Sequence, residues 1–299
     1  MDIIKPNVFV VGVPRSGKVQ MRNALSKHPE IFVNMVDTDF FSADVEGKQD
    51  RINSIQKYLS YFQKGKNKKI ILDQVSRSAV SRVAAQKIKE FNPKAKIIIH
   101  LRDPAGQMFS WHNACMRLGY ETEPDFSKAL ELESKRKQKT RQGFIKNYFY
   151  TDMADYYPQV KRYIDAFGRE KVHILILDEL RKDEDGEYYK VLKFLGVKRQ
   201  KPDFTTKNEA RMEPKNKFFL HMNNFFINLP KPIRLGIKHL LPSKLVTKIK
   251  SSTLKELKDK KKLDPSLEYK INKSFEPNIR KLEKLIGKDL SLWYNPKKS

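Results

Sequence analysis

The hydrophobic pattern of the chain consists of short apolar runs separated by longer amphipathic stretches. Apolar runs that are rich in β-branched residues and bounded by polar or turn-forming residues predict buried strands. Four such runs are present, at residues 7–13, 69–72, 96–101 and 172–177. The alternation of apolar and polar residues that marks a strand with one wet face is absent from them. The pattern therefore favours strands that are covered on both faces.

Helical spacing of apolar residues marks several of the stretches between these runs. It predicts helices at residues 20–28, 78–91 and 188–195, and Gly196 is a good C-terminal cap for the last one. Buried strands that alternate with helices are typical of the α/β class. We therefore predict a central parallel β-sheet with helices on both faces, in a single domain that spans residues 1–299.

Two stretches differ from this pattern because they are strongly polar. Residues 131–146 are rich in Lys, Arg and Gln and predict an exposed helix or a mobile flap. Residues 230–262 carry 11 Lys and Arg residues against two acidic ones, yet they keep apolar residues such as Leu240 and Ile249. That composition predicts a basic amphipathic insertion or subregion rather than a disordered tail.

Composition narrows the class of protein. The 299 residues include 61 Lys and Arg against 35 Asp and Glu, a formal net charge of +26. Such a charge attracts polyanions, although a lysine-rich solvated surface would give the same number. Cys115 is the only cysteine, which excludes a disulfide scaffold. Apolar runs of roughly 18 residues are absent, and the N-terminus does not resemble a signal peptide, so we expect a cytoplasmic location.

The segment Gly12-Val13-Pro14-Arg15-Ser16-Gly17-Lys18 lies between a predicted strand and a predicted helix. Two glycines let backbone N–H groups converge on an anion, and the helix N-terminus and two cations add positive charge. A phosphate-binding loop is therefore expected here. In nucleoside triphosphatases the next position is a Ser or Thr that binds Mg²⁺, whereas this chain has Val19.

Residues 10–17, 22–23 and 26–33 resemble the opening of sulfotransferases that use 3′-phosphoadenosine-5′-phosphosulfate (PAPS), with the bacterial and heparan-sulfate-type enzymes as the nearest subgroup. The resemblance implies a P-loop-like fold in which the loop grips the 5′-phosphosulfate. It places the catalytic glutamate of the family at Asp37. The loop residues that it assigns to the cofactor are Arg15, Ser16, Gly17, Lys18 and Val19.

A second part of the resemblance follows the strand at residues 96–101. Arg102 stands at its end and Ser110 eight residues later, the spacing at which the family holds the 3′-phosphate. The intervening Asp103 and Pro104 by themselves predict only the start of a helix. Similarity continues at residues 172–180, 194–197 and 279–290. A less similar stretch supplies three further candidates for the cofactor: Lys207, Asn208 and Arg211.

The chain departs from the family at two places. Lys18 and Val19 replace two threonines of the loop, and Val36 replaces the lysine that precedes the catalytic carboxylate. Either Lys18 compensates for the lost groups or the site is altered.

The resemblance implies transfer of a sulfuryl group from PAPS to a hydroxyl acceptor such as a glycan, a lipid or a small molecule, without a metal ion. Asp37 would be the base, and Lys18 and Arg15 would stabilise the transferred group. The acceptor or a surface contact could be anionic, but no specific nucleic acid is expected. Two alternatives stay open: a P-loop kinase or NTPase, and a polyanion-binding protein that has lost catalysis on the same scaffold. The acceptor and the oligomeric state are not predicted.

Overall fold

The structure is a computed structural model that describes residues 3–46, 52–204, 212–214, 254–256 and 262–295. Its centre is a five-stranded sheet in which all strands are parallel. The order is β2-β3-β1-β4-β5, so β1 lies in the middle. The strands are β1 Val8–Gly12, β2 Ile31–Val33, β3 Ile70–Val75, β4 Lys96–Leu101 and β5 Val172–Ile176.

Helices connect these strands and follow the last of them. Asp103 caps α4 through its carboxylate and Pro104 is the first residue of that helix, as the sequence predicts. The α-helices are α1 Lys18–Ser26, α2 Ile55–Ser60, α3 Ala84–Phe91, α4 Pro104–Leu118, α5 Phe126–Gln138, α6 Tyr150–Ala154, α7 Tyr156–Phe167, α8 Leu177–Lys182, α9 Glu184–Leu195, α10 Pro265–Ile286 and α11 Ser291–Tyr294.

The sheet separates two hydrophobic cores. Val8 and Val10 of β1 face the core formed with α1, α8 and α9, whereas Phe9 and Val11 face the larger core on the other side. That larger core includes residues of α3, α4, α6, α7 and α10. Because successive side chains of a strand point to opposite faces, a continuous apolar run is what a doubly covered strand requires. The α/β prediction, with helices on both faces of a parallel sheet, is confirmed.

Several predicted boundaries need correction. The strand at 96–101 coincides with β4, but the one at 69–72 extends to Val75, and Leu177 begins α8 rather than ending a strand. The predicted helix at 78–91 begins only at Ala84. The polar stretch 131–146 is the end of α5 followed by an irregular segment.

The late start of α3 has a physical cause. The Tyr163 hydroxyl donates to the carbonyl of Ser78 at 2.7 Å, and the Arg162 guanidinium donates to the carbonyls of Ala79 and Val80 at 3.1 and 3.3 Å. These carbonyls are therefore satisfied by side chains of α7 instead of by a helical turn.

The C-terminal part of the chain is described less completely. Two short strands, β6 Met212–Pro214 and β7 Leu254–Glu256, pair antiparallel. Of the predicted basic subregion 230–262, only β7 and Lys262 belong to the described residues. In the part of the chain that is described, no helix is both long enough and apolar enough to cross a membrane.

Sheet topology shows where a ligand site belongs. From β1 the chain passes through α1 to β2 on one side of the sheet, whereas from β4 it passes to β5 on the other side. A crevice therefore opens between the carboxyl ends of β1 and β4, and ligands of open α/β sheets bind at such switch points.

Candidate active site

The loop that follows β1 has a backbone conformation that requires glycine at two positions. Gly12 has a φ of +136°, and a Cβ there would lie 2.9 Å from the carbonyl oxygen of His100. Gly17 has a φ of +89°, and a Cβ there would lie 2.6 Å from the side chain of Leu177. Arg15 also has a positive φ, 72°. Left-handed residues in a tight turn before a helix are typical of backbone loops that cradle anions.

Lys18 is the first residue of α1, and its side chain turns inward. It is only 5% exposed, and its ammonium donates hydrogen bonds to the carbonyl of Gly12 and, at 3.3 Å, to that of Ser76. Burial lowers the pKa of Lys18 to about 8, although the carboxylates of Asp37 and Asp39 act in the opposite direction. Lys18 is therefore a buried cation between the ends of β1 and β3.

Arg15, Arg102 and Ser110 lie together although the sequence separates them widely. The Arg15 Nε donates to the Ser110 Oγ at 2.9 Å, and the Arg102 guanidinium donates to the Arg15 carbonyl at 3.3 Å. Arg102 also pairs with Asp103 at 3.3 Å. The loop after β1, the end of β4 and one face of α4 thus bring two guanidinium groups and a hydroxyl to one place, at the switch point of the sheet.

Ser16 and Val19 contribute to the loop in different ways. The Ser16 hydroxyl donates to the carbonyl of Val13 at 2.8 Å, which fixes the turn. The Val19 side chain is 49% exposed and has no polar atom. His100 hydrogen-bonds the Ser16 backbone, and burial lowers the pKa of His100 to about 3, so its ring is neutral.

An acidic group flanks Lys18 on the segment after β2. Asp37 is half-buried, and its carboxylate accepts a hydrogen bond from the Ser76 backbone at 3.4 Å. Asp39 is buried, has a φ of 46° and forms an ion pair with Arg77. Burial and the neighbouring charge of Asp37 raise the pKa of Asp39, and Arg77 opposes both. The site therefore combines buried charges of both signs.

Comparison with known proteins assigns this architecture to a family. A family model described as the sulfotransferase domain matches residues 5–283. The chain belongs to the sulfotransferase family. A sulfotransferase from Alicyclobacillus acidocaldarius has the same fold, with a TM-score of 0.72 and 24% identity over 97% of this chain and 99% of that one.

A curated relative extends the comparison. The chain is 22% identical over 230 residues to the bifunctional heparan sulfate N-deacetylase/N-sulfotransferase 1 of Caenorhabditis briggsae. The match covers 73% of this chain but only 25% of that protein. This chain therefore spans about a quarter of the length of the relative.

Family membership decides between alternatives that the loop alone leaves open. The predicted membership in the sulfotransferase family is confirmed across nearly the whole length of the chain. A P-loop kinase or NTPase is not supported by it. The assignment of individual residues stays a prediction.

The two departures from the family pattern, at Lys18 and at Val36, both concern the positive charge near Asp37. Val36, where the family has a lysine, is 42% exposed and carries no charge. The ammonium of Lys18 is near enough to Asp37 for that carboxylate to favour its charged form. A cation is therefore present beside the candidate base, and it comes from the loop instead of from the neighbouring residue.

Sequence reasoning missed Arg77, which is one of the most buried cations of the site. Its side chain is 7% exposed, and besides Asp39 it contacts the Asn147 side chain, to which its Nε donates at 3.3 Å. Its position directly after β3, which neighbours β1, is the signal that could have identified it, because the carboxyl ends of parallel strands share one edge. The resemblance points to Asp37 and gives no role to Asp39, two residues later in the same short run.

A buried hydrogen-bond network holds the Asp37 segment against the sheet. The Asp73 carboxylate in β3 accepts from Tyr58 at 2.7 Å, from Asn34 at 3.2 Å and from Thr38 at 3.3 Å. Burial raises the pKa of Asp73 to about 7, and the three donors act against that rise. The network fixes the residues on either side of Asp37.

Some predicted residues cannot be placed. Lys207, Asn208 and Arg211 lie outside the described residues. Within the described ranges, no group of three or more His, Cys, Asp or Glu side chains is arranged to hold a metal ion. The independence from metal stays a prediction.

Proposed function

We propose that this chain is a catalytically active sulfotransferase that transfers a sulfuryl group from PAPS to a hydroxyl-bearing acceptor. Arg15, Lys18 and the backbone of the loop from Gly12 would hold the phosphosulfate end. Arg102 and Ser110 would hold the 3′-phosphate. Lys207, Asn208 and Arg211 are proposed as further cofactor contacts on the basis of the resemblance alone.

The observation that carries the proposal is that Arg15, Arg102 and Ser110, which are far apart in the sequence, lie together at the switch point of the sheet. Arg102 contacts the Arg15 carbonyl, and Arg15 contacts Ser110, over separations of 87 and 95 residues. Guanidinium groups and hydroxyls are strong donors to phosphate oxygens, and guanidinium binds them in a bidentate manner. A ligand with anionic groups at two positions fits a donor set that is spread over β1, β4 and α4.

The chain's own residues also fit the chemistry of the transfer. PAPS supplies the sulfuryl group when it is bound. Asp37 is proposed to take the proton of the acceptor hydroxyl as general base. Lys18 and Arg15 provide fixed positive charge where negative charge develops on the leaving phosphate, and the buried position of Lys18 strengthens its effect. The cation beside Asp37 argues for an active site rather than a degenerate one.

The class of acceptor is also part of the proposal. The curated relative is named for N-sulfotransfer on heparan sulfate, so a glycan with hydroxyl or amino groups is the first acceptor to test. A cytoplasmic location is retained as a proposal, tested by fractionation of cells that express the chain.

Transfer assays with the full chain test the proposed function. Labelled PAPS is incubated with a panel of hydroxyl and amino sugars, phenols and lipids in the presence of EDTA, and Asp37→Asn serves as the inactive control. We expect label to appear on at least one acceptor with the wild-type chain only. Binding of 3′,5′-adenosine bisphosphate (PAP) without transfer to any acceptor would favour the polyanion-binding alternative. A strict requirement for ATP and Mg²⁺ would overturn the proposal.

A further inference from the structure

A basic cavity lies beside the site that has been described. Its volume is about 600 Å³, and it opens between the last turn of α5 and the segment that follows this helix. The residues that line it include Arg136, Lys139, Arg141, Phe144, Lys146 and Tyr148. Four of these six side chains are cationic, two are aromatic and none is acidic.

Two of the four cations are already neutralised. Arg136 makes a bidentate pair with Glu121, at 2.6 and 2.8 Å, and Lys146 pairs with Glu46 at 3.0 Å. Within the described ranges, no ion pair is found for Lys139 or Arg141, and both are exposed. The cavity therefore presents an excess of two positive charges to any ligand that enters it.

The charges are not all explained by stabilisation of the helix. Residues 135–146 contain six Lys and Arg residues and no acidic residue. Cations in the last turn of α5, at 135–137, complement the negative end of the helix dipole. Lys139 is the C-cap residue and shares that account, but Arg141 and Lys146 lie beyond the end of the helix and do not.

Aromatic rings complete the lining. The Arg136 guanidinium lies 5.0 Å from the centre of the Tyr148 ring, and the Lys146 ammonium lies 5.4 Å from the centre of the Phe144 ring. Rings of this kind provide flat apolar contact surface, while the cations that sit on them recognise negative charge. A ligand with a ring and an anionic substituent matches both features.

The wall of the cavity is connected to the candidate catalytic cluster. Asn147, between Lys146 and Tyr148, accepts a hydrogen bond from Arg77, which pairs with Asp39. The same segment pairs its backbone with residues 44–46, at Ile145. A molecule held in the cavity would therefore lie next to the segment that contacts Arg77.

We propose that this cavity is a subsite of the acceptor and binds a ring-containing molecule that carries carboxylate or sulfate groups. The inference rests on the proposed sulfotransferase function, because it assigns the cavity to the acceptor of that reaction. The anionic ring is the part of the acceptor that is remote from the reacting group. An acidic oligosaccharide and an aryl carboxylate are two sources of the same chemistry.

Matched charge variants of the full chain test the cavity. The double variant Lys139→Gln/Arg141→Gln removes the unpaired charge, and Lys128→Gln/Lys135→Gln removes two exposed lysines of α5 that do not line the cavity. The probes are a heparin-derived tetrasaccharide, 4-hydroxybenzoate and neutral chitotetraose, added to protein that is saturated with PAP at 150 mM salt. We expect the first double variant to lose about tenfold in affinity for an acidic probe, and the control variant to change less than twofold.

The outcomes separate the two proposals. Equal affinities of the two double variants for both acidic probes would overturn the cavity assignment, and so would chitotetraose binding as tightly as the acidic tetrasaccharide. A loss confined to one acidic probe identifies the source of the anionic ring and supports the assignment. PAP affinity is measured separately, and the probes are also added without PAP. The tenfold loss in a chain that does not bind PAP would contradict the proposed sulfotransferase function, and the cavity would then bind the anionic ring outside that reaction.

Discussion

At the scale of single residues, the charge of Lys18 is predicted to change with pH in the mildly basic range. Its pKa in the folded protein is about 8, and the ordinary value is 10.5. Between these two values the unfolded chain binds the proton and the folded chain does not, so burial of Lys18 destabilises the fold below pH 8 and this cost disappears as the pH rises to 10.5. A bound anion would raise the pKa of Lys18 again, because it favours the charged ammonium.

The affinity for PAP is therefore predicted to fall as the pH rises above about 8. Phosphate groups have their second pKa near 6, so the ligand keeps its charge over this range. Calorimetric titration from pH 7 to pH 10 measures the effect. Lys18→Met keeps the length of the side chain without its charge, and we expect this variant to bind PAP more weakly and without the decline. A flat profile for the wild-type chain would mean that Lys18 does not contact the ligand.

Asp37 is predicted to act in turnover and not in binding. Asp37→Asn keeps the shape of the side chain and removes the base, so we expect PAP affinity to stay within about twofold while turnover falls about 10²-fold or more. Initial rates with the acceptor that emerges from the transfer assay provide the measurement. Near-normal turnover of the variant would place the base elsewhere.

Asp39 is predicted to act mainly in stability. Asp39→Asn removes the carboxylate charge and leaves the buried Arg77 without its charge partner. We expect the free energy of unfolding to fall by about 3 kcal/mol or more. Thermal unfolding of Asp37→Asn serves as the control, since Asp37 is half-buried and its contact with the Ser76 backbone is long, at 3.4 Å. Equal melting temperatures for the two variants would contradict the structural role of the Asp39–Arg77 pair.

The sequence predicts Arg15, Lys18, Asp37, Arg102 and Ser110 as site residues because each stands in a local motif or in a segment that resembles the family, and their roles stay predictions. Arg77 was not identified because its importance comes from partners 38 and 70 positions away, Asp39 and Asn147. Contacts of that range are produced by the fold and leave no spacing pattern. The inward turn of Lys18 could not be predicted either, because it depends on the carbonyl of Ser76 at the end of another strand.

At the scale of secondary-structure elements, the junction of β1 with the loop depends on Gly12. Its φ of +136° is almost restricted to glycine, and a Cβ would collide with the backbone of β4. Gly12→Ala is predicted to destabilise the protein by about 2 kcal/mol or more. Gly196→Ala is the matched control, because Gly196 has a φ of +75° but open space around its Cα. Chemical denaturation that shows equal losses for both variants would contradict the close approach of β1 and β4.

The boundaries of helices and strands were predicted well where the chain is buried continuously. They were predicted less well where contacts with distant side chains determine where an element begins or ends. The apolar run of β4 has both its ends in the predicted place. The three-residue β2 is too short for a pattern of its own, and the start of α3 depends on Arg162 and Tyr163, which belong to α7. The order of the strands, which brings Arg102 to the loop after β1, follows from packing that no local pattern contains.

At the scale of the whole molecule, the net charge of +26 predicts attraction to anionic polymers. The segment 230–262 supplies 11 of the cations, so replacing Lys244, Lys248, Lys250 and Lys255 by Gln should lower the salt concentration at which the chain elutes from heparin. Four exposed lysines outside this segment, Lys57, Lys64, Lys87 and Lys94, replaced in the same way, form the control. Equal elution of the two variants would show that only the total charge matters.

The central claim is that Arg102 and the loop after β1 form one cofactor site at the switch point of the sheet. Calorimetric titration of the wild-type chain and of Arg102→Ala, in EDTA, with PAP and with 5′-AMP tests it most directly, because 5′-AMP lacks the 3′-phosphate. Loss of a charge-assisted contact should weaken PAP by about 2 kcal/mol, roughly 30-fold, and leave 5′-AMP nearly unchanged. Equal losses for the two ligands, or no loss for PAP, would contradict the claim.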